Sequence, residues 1–386
     1  MLAYINLLTG CLGMNFRERF LATVSFQKAD RYPYWELGIW GQTYNRWLME
    51  GLSEEDLRGD WFRGEPKFAR LDKRDFIPLN LGPIPGFEEK VIYENERYVV
   101  FRDNWGRIRK ALKEGEAHGT RASMDTYLDF YVKDYESFKE FKKYFDPYDP
   151  RRYPKNWEDL KRKWKNRDYP LYLTENCGFG GLYWNLRNMM GTVRLSVAFY
   201  RMPNLIHEIL DFMVDFFIKA TEKALKEVEV DAFIFNEDFA CKSGPLISPK
   251  IFRDFFLPRY EEINRYLRRH GVKVIELDSD GNTEPLIPLM IEAGVNAHWP
   301  LEAASNMNPI EIRRKYGEEL ALYGGIDKRA LAAGKEAIEK EIYNKIVPMV
   351  ELGGYIPTVD HTIPPDVPLK NFLYYLELKR KIAEKD

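Results

Sequence analysis

From about residue 169 to the C-terminus, short apolar runs alternate with amphipathic helical stretches, and each run stops at or beside an acid. The runs are "YPLYLTEN" (169–176), "DAFIFNED" (231–238), "VKVIELDSD" (272–280), "GVNAHWPLE" (294–302), "LALYGGID" (320–327) and "GGYIPTVDH" (353–361), with "RYPYWELG" (31–38) as an earlier member. This rhythm is that of repeated βα units feeding a parallel sheet. Glu36, Glu175, Glu237 with Asp238, Asp278 with Asp280, Glu302, Asp327, and Asp360 with His361 all fall where a run ends. In a (β/α)8 barrel those ends converge on the face that carries active sites. A doubly wound sheet would also gather its strand ends, but the chain has no glycine-rich phosphate loop to go with one. Acids after strands also cap helices. Seven strand ends in a row leave capping an incomplete account. The expected fold is therefore a single (β/α)8 barrel.

Residues 40–168 follow the rhythm less well. "LGPIPGFEEKVIYENERYVVFRDNWGRIRKAL" reads as a loop and a β-hairpin inserted in the N-terminal part, suited to covering the barrel mouth. "RRYPKNWEDLKRKWKNR" (151–167) is basic with interleaved Trp157 and Trp164, but Glu158 and Asp159 interrupt it, and it reads as a solvated surface helix rather than a nucleic-acid patch. The first thirteen residues, "MLAYINLLTGCLG", read as a loose N-terminal extension. They lack the basic start of a signal peptide. The barrel is expected over residues 14–386, starting with the helix "NFRERFLATV".

Charge and cysteine usage narrow the function. Lys and Arg total 58 against 60 Asp and Glu, so no global field favours nucleic acid or an anionic membrane. No stretch reaches the roughly 18 to 20 apolar residues of a membrane span. Cys11, Cys177 and Cys241 are too scattered for a disulfide framework, which suits a reducing cytoplasm. A small-molecule substrate is the expected partner.

Asp278 and Asp280, in "VIELDSDGN", stand two residues apart and therefore point to one side of a strand. Two anions so placed need a cation, a shared proton or water. Of the five histidines only His361 ends a strand beside an acid, in "VDHTIPPDVP". Asp278, Asp280 and His361, with Glu237 as a fourth ligand or proton shuttle, suit a divalent metal, zinc first, with manganese or iron as alternatives. Bland readings stand beside this one: Asp278 caps a helix, Asp280 holds a turn with Gly281, and His361 pairs with a carboxylate. Trp35, Glu175, Asn176, Trp184, Arg187, Asn282 and Trp299 are the expected substrate-binding residues, offering hydrogen bonds and stacking faces. Asn282 and Asp360 are expected to orient the ligands.

Several stretches resemble the uroporphyrinogen decarboxylase superfamily: "NFRERFLATVSFQKADRYPYWE", "EDFACKSGPLISPKIFRDFFLPRY", "PLIPLMIEAGVNAHWPLE", "RRKYGEELALYGGIDKRAL" and "GGYIPTVDHTIPPDVPLKNFLYY". The resemblance implies a single (β/α)8 barrel acting either as a decarboxylase or as a zinc methyltransferase that works with a corrinoid protein. The decarboxylases carry an Arg-Gln-Ala-Gly-Arg stretch and a Phe-Ser-Asp segment, and the matching region here, "WELGIWGQTYNRW", has neither. The methyltransferases carry His-x-Cys-Gly-Asn and a later Cys before a Pro-rich segment. Here Asp278 stands at the His position, Asp280 at the first Cys and His361 at the later Cys, while Gly281 and Asn282 match. Carboxylate and imidazole ligands leave a metal harder than thiolates do and better at polarising an oxygen. The resemblance thus implies a methyltransferase or demethylase. No Asp-x-His-x-x-Gly motif occurs, so cobalamin would arrive on a partner corrinoid protein. The alternatives are a metal-free lyase, a porphyrinogen decarboxylase gripping its substrate with Arg102, Arg107 and Arg109, and a non-enzymatic binding barrel.

Overall fold

The computed structural model describes residues 13–121, 123–174 and 178–384. The N-terminal extension up to residue 12 and the pocket candidates Glu175 and Asn176 lie outside the described residues. In chain order the strands are β1 (Asp75–Phe76), β2 (Lys90–Glu94), β3 (Tyr98–Arg102), β4 (Ile108–Leu112), β5 (Thr126–Asp129), β6 (Leu171–Tyr172) and β7 (Ala232–Asn236). A small pair follows, β8 (Ala240–Cys241) and β9 (Gly244–Pro245), then β10 (Val274–Asp278), β11 (Ala297–Trp299), β12 (Ala321–Tyr323) and β13 (Tyr355–Ile356). Seven of these form one curled sheet in the order β1-β6-β7-β10-β11-β12-β13, every pair parallel, with helices in the connections.

The eighth place is taken by residues 34–40. Asp72 N–H donates to the Tyr34 carbonyl (2.8 Å) on the β1 side. On the other side Ile363 N–H donates to Gly38 (2.9 Å) and Trp40 N–H to Ile363 (3.1 Å). This segment is the run expected to open the series, yet it joins its neighbours through one bond on the β1 side and an isolated parallel bridge, Ile39 with Ile363, on the other rather than through a ladder. Pro33 lacks an N–H, and Gly38 at φ 109° breaks the extended path.

Strand alternation separates two cores. Ala232 and Ile234 of β7, Val274 of β10, Ala297 and Trp299 of β11 and Tyr323 of β12 pack inside the ring, joined by Trp35, Phe76 and Tyr172. The helix Phe16–Val24, capped by Asn15 in a reciprocal box with Glu18, adds Phe20 and Val24. Phe233, Phe235, Ile275 and Leu277 face outward into the larger core shared with the helices.

The inserted hairpin is half of what is present: β2, β3, β4 and β5 form a four-stranded antiparallel sheet. Asn95 Oδ1 accepts from the N–H groups of Arg97 (2.9 Å) and Tyr98 (2.7 Å) to make the first turn, and Asp103 does the same for Trp105 and Arg107 (3.0 Å each) in the second. Trp105 meets the Trp184 ring edge-on at 5.8 Å, and Arg107 donates to Asn188, so the sheet rests on the helix Leu182–Met190. None of its residues lines the cavity at the barrel mouth. In the basic segment, Trp157 and Trp164 are buried and serve packing.

Candidate active site at the barrel mouth

A cavity of about 300 Å³ opens where the parallel strands end. The pleat of β10 decides its chemistry. Val274, Glu276 and Asp278 alternate onto the inner face, and Asp280 continues the line past the strand end. Glu276 is fully buried beneath the cavity, where it accepts from Tyr172 Oη (2.7 Å), Tyr323 Oη (3.1 Å) and Trp299 Nε1 (3.0 Å). Burial nevertheless pushes its pKa up to about 7. Asp278 lines the wall above it beside Trp299, its register partner on β11. Burial and the neighbouring charges of Asp238, Asp280 and Glu276 push the Asp278 carboxyl well above the usual range.

Asp280, Glu302 and His361 come together at this mouth, with one ligand atom from each lying within 4.8 Å of the others. His361 Nε2 faces Asp280 Oδ2 at 3.3 Å, and Nδ1 is 2.8 Å from Thr362 Oγ1. The bond to Asp280 raises the imidazole pKa against the opposing effect of burial. With Nδ1–H donating to the Thr362 hydroxyl, the neutral ring turns its Nε2 lone pair to the cluster, which is the orientation a ligand needs. Glu302 Oε2 is steadied by Gly281 N–H (2.9 Å) and Ser305 Oγ (3.3 Å). Lys328 stands 3.5 Å from Glu302 and 3.6 Å from Asp360, which shares its charge. The donor set of two carboxylates and one imidazole therefore fits a divalent cation of hard to borderline character, zinc included.

The turn that carries Asp280 is held from behind. Gly281 has φ 82°, and a Cβ there would lie 2.7 Å from the backbone of Ala240 and Cys241. Asn282 N–H donates to Cys241 O (2.9 Å), and its side chain accepts from Glu284 N–H (3.1 Å). Asn282 thus shapes the turn rather than reaching substrate. Asp360 accepts from Ala303 N–H (3.0 Å) and Lys328 N–H (3.1 Å), orienting the loops beside Glu302 rather than His361 itself.

Expectations for five residues give way here. Glu237 is not a ligand or shuttle: it is fully buried, and its carboxylate accepts from the N–H groups of Leu182 (2.7 Å), Tyr183 (2.8 Å) and Trp184 (3.0 Å) and from Tyr260 Oη. It caps the helix Leu182–Met190, and a Cβ at Gly181 would strike it at 2.3 Å. Asp278 stands outside the cluster of Asp280, Glu302 and His361 and belongs to the cavity wall. Trp35 is buried in the ring interior with Nε1 donating to Asp72 O (3.2 Å), not at the mouth. Trp184 packs on Trp105 outside the cavity lining, and Arg187 pairs with Asp238 at 3.1 Å. Trp299 does line the cavity.

Sequence reasoning left Glu302, Asp238, Glu276, Phe62 and Phe76 out of the site. Glu302 and Asp238 carried the strand-end signal. Glu276 falls under the same two-residue rule that paired Asp278 with Asp280. Phe62 and Phe76 carried no signal, since they lie in the stretch that breaks the βα rhythm.

The sequence profile of the family described as Uroporphyrinogen decarboxylase (URO-D) matches residues 180–382, just over half of the chain. Uroporphyrinogen decarboxylase of Legionella pneumophila (strain Corby) is 24% identical over 218 residues, covering 53% of this chain and 58% of the relative. The enzyme of that description from Pseudoalteromonas atlantica is 25% identical over 256 residues, covering 62% and 66%. The chain thus spans less than two thirds of the length of these relatives. Among solved structures, a methyltransferase from Methanosarcina mazei superposes with a TM-score of 0.60 at 16% identity, covering 95% of this chain and 98% of its own, which establishes the shared barrel fold. The chain is therefore a (β/α)8 barrel that belongs to the uroporphyrinogen decarboxylase (URO-D) family.

Proposed function

We propose that the protein is a methyltransferase or demethylase that moves a methyl group between a small molecule and a corrinoid carried by a partner protein. The observation that carries this reading is the convergence of Asp280, Glu302 and His361 at the mouth of a small cavity. Those three side chains would hold a divalent metal, zinc first, in place of the site expected at Asp278, Asp280, His361 and Glu237. Such an ion, when bound, supplies Lewis acidity toward the oxygen of a methoxy or alcohol group. The chain itself supplies the positioning. Gly281 and Asn282 fix the turn under Asp280, Asp360 ties the loops beside Glu302, and Thr362 sets the His361 ring. Trp299, Phe62 and Phe76 give the same cavity an apolar lining.

The cavity argues against a porphyrinogen. A volume of about 300 Å³ is small for a tetrapyrrole, and among the described residues no lysine or arginine lines it. Arg102, Arg107 and Arg109 are engaged by Glu88, Asp103 and Asp125 within the inserted sheet. A metal-free lyase has one observation in its favour, the placement of Asp278 on the cavity wall outside the cluster of Asp280, Glu302 and His361.

Metal content by mass spectrometry separates the two. Near-stoichiometric zinc, manganese or iron, lost from Asp280→Ala, Glu302→Ala and His361→Ala but kept by Glu237→Gln, is the expected result. A metal-free native protein would sink the metal reading and leave Asp278 as the acid to test. With metal in place, methyl transfer from methoxylated substrates to a reduced corrinoid protein, followed by its visible spectrum, tests the reaction itself.

A further inference from the structure

We propose that the free edge of the inserted sheet is a self-association surface, where β2 pairs antiparallel with β2 of a second copy about a two-fold axis at Ile92. The proposal is independent of the methyl-transfer reading, since no residue of β2 lines the cavity.

β2 stands at the end of the order β2-β3-β4-β5, and among the described residues it has a neighbour only on its β3 side. All of its residues are exposed, and the run at its centre is apolar: Val91, Ile92 and Tyr93 are 55%, 54% and 56% exposed. Such an edge offers backbone N–H and C=O groups without partners together with side chains that gain from burial, which makes it a template for a further strand. Successive side chains of a strand point to opposite faces, and here both faces are equally open. A partner laid on one face would leave the other in water, whereas a strand added at the edge reaches both.

The occupant is a second copy because the strand is complementary to itself. Read in opposite directions about Ile92, Lys-Val-Ile-Tyr-Glu sets Lys90 of each copy opposite Glu94 of the other, Val91 opposite Tyr93, and Ile92 opposite Ile92 at the axis. Opposite charges, and aromatic with β-branched side chains, are the favourable cross-strand pairs. A shift of one or two residues either way separates Lys90 from Glu94 and sets a charge opposite an apolar or aromatic side chain. Glu94 already holds Lys113 at 2.7 Å, in an open pair whose side chains are 52% and 39% exposed, and it can accept a second ammonium there. The ladder to β3 slips between Val91 and Tyr93, so Ile92 is the extra residue of a bulge and has no partner on β3. A bulge elsewhere along an edge twists it away from an incoming strand. At the axis it bends both copies alike and keeps the two strands matched. A pairing this short lies below the standard interface of roughly 1,200 to 2,000 Å², so the dimer is a weak one that forms at micromolar concentration.

Sedimentation velocity of the full-length protein from about 1 to 300 µM tests this, and a concentration-dependent equilibrium between monomer and dimer is the expected result. Lys90→Glu sets acid against acid at both ends of the pairing, and Glu94→Lys sets base against base. Each alone should weaken the dimer about tenfold or more, with circular dichroism confirming that both variants fold. An equimolar mixture of the two variants sets acid against base at both ends again and should recover most of the wild-type affinity. Mixing cannot repair a damaged fold, so this recovery separates strand pairing from a merely structural effect. A protein that stays monomeric at the highest concentration, a dimer indifferent to both substitutions, or variants that remain apart when mixed would overturn the proposal. Growth beyond the dimer would overturn it too, because a two-fold pairing of one edge is closed.

Discussion

Glu276 has its ionisation set by where the pleat places it. Its two tyrosines and the indole of Trp299 donate to it, yet burial raises its pKa from the ordinary 4.5 to about 7. In the unfolded chain this carboxyl loses its proton near pH 4.5, whereas the folded barrel keeps it to about 7. The native state therefore binds more protons across that window, and stability falls as pH rises through it. Below the window both states are protonated and above it both are ionised, so the effect is confined between those limits. Its size is on the order of 3 kcal/mol. Urea denaturation of Glu276→Gln from pH 5 to pH 8 should show a smaller loss of stability with rising pH than the wild type. Glu237, raised to about 7 by its own burial, keeps part of the slope in both proteins. An unchanged slope in the variant would mean that Glu276 ionises as an ordinary carboxyl.

Among the elements, the turn after β10 decides whether the site exists. Gly281 lets this turn press its backbone against Ala240 and Cys241, and an added methyl would have to enter a space 2.7 Å from those atoms at a φ of 82°. Gly281→Ala should cost about 2 kcal/mol or more in thermal denaturation. It should also displace Asp280 enough to lower bound metal, whereas Gly271→Ala, with open space around it, should leave metal content alone. The elements of the barrel were legible because strands buried on both faces read as continuous apolar runs, and their terminal acids marked the mouth. The inserted sheet was only half legible. All five residues of β2 are exposed, so no face demanded an apolar period; in the barrel, β1 is only two residues long, too short to show one. The family resemblance placed Asp280 and His361, but Glu302 joins them through loops with no local pattern. Glu237 carried the same strand-end signal as a site acid. It turned out to cap a helix 55 residues earlier in the chain, and sequence spacing cannot separate those two uses.

Over the whole molecule, the ring is fastened by its own ends. Lys379 in the C-terminal helix Leu369–Ala383 places Nζ 2.8 Å from Glu36 Oε1, with the side chains 2% and 0% exposed. Glu36 also accepts from Tyr375 Oη (2.8 Å) and Val359 N–H (3.0 Å), and Lys379 donates to Trp35 O (3.0 Å). Removing one partner strands a buried charge, so Lys379→Met should cost about 3 to 5 kcal/mol in chemical denaturation, and pairing it with Glu36→Gln should recover much of that loss. Recovery near zero would mean that the pair contributes through packing rather than charge. The fastening also has a consequence for how the chain is made. Glu36 leaves the ribosome 343 residues ahead of the lysine that neutralises it. Until Lys379 is made, the nascent chain therefore holds the Glu36 carboxylate without its cation. A message truncated just before Lys379 would encode every stave of the ring and leave Glu36 without the cation that neutralises it.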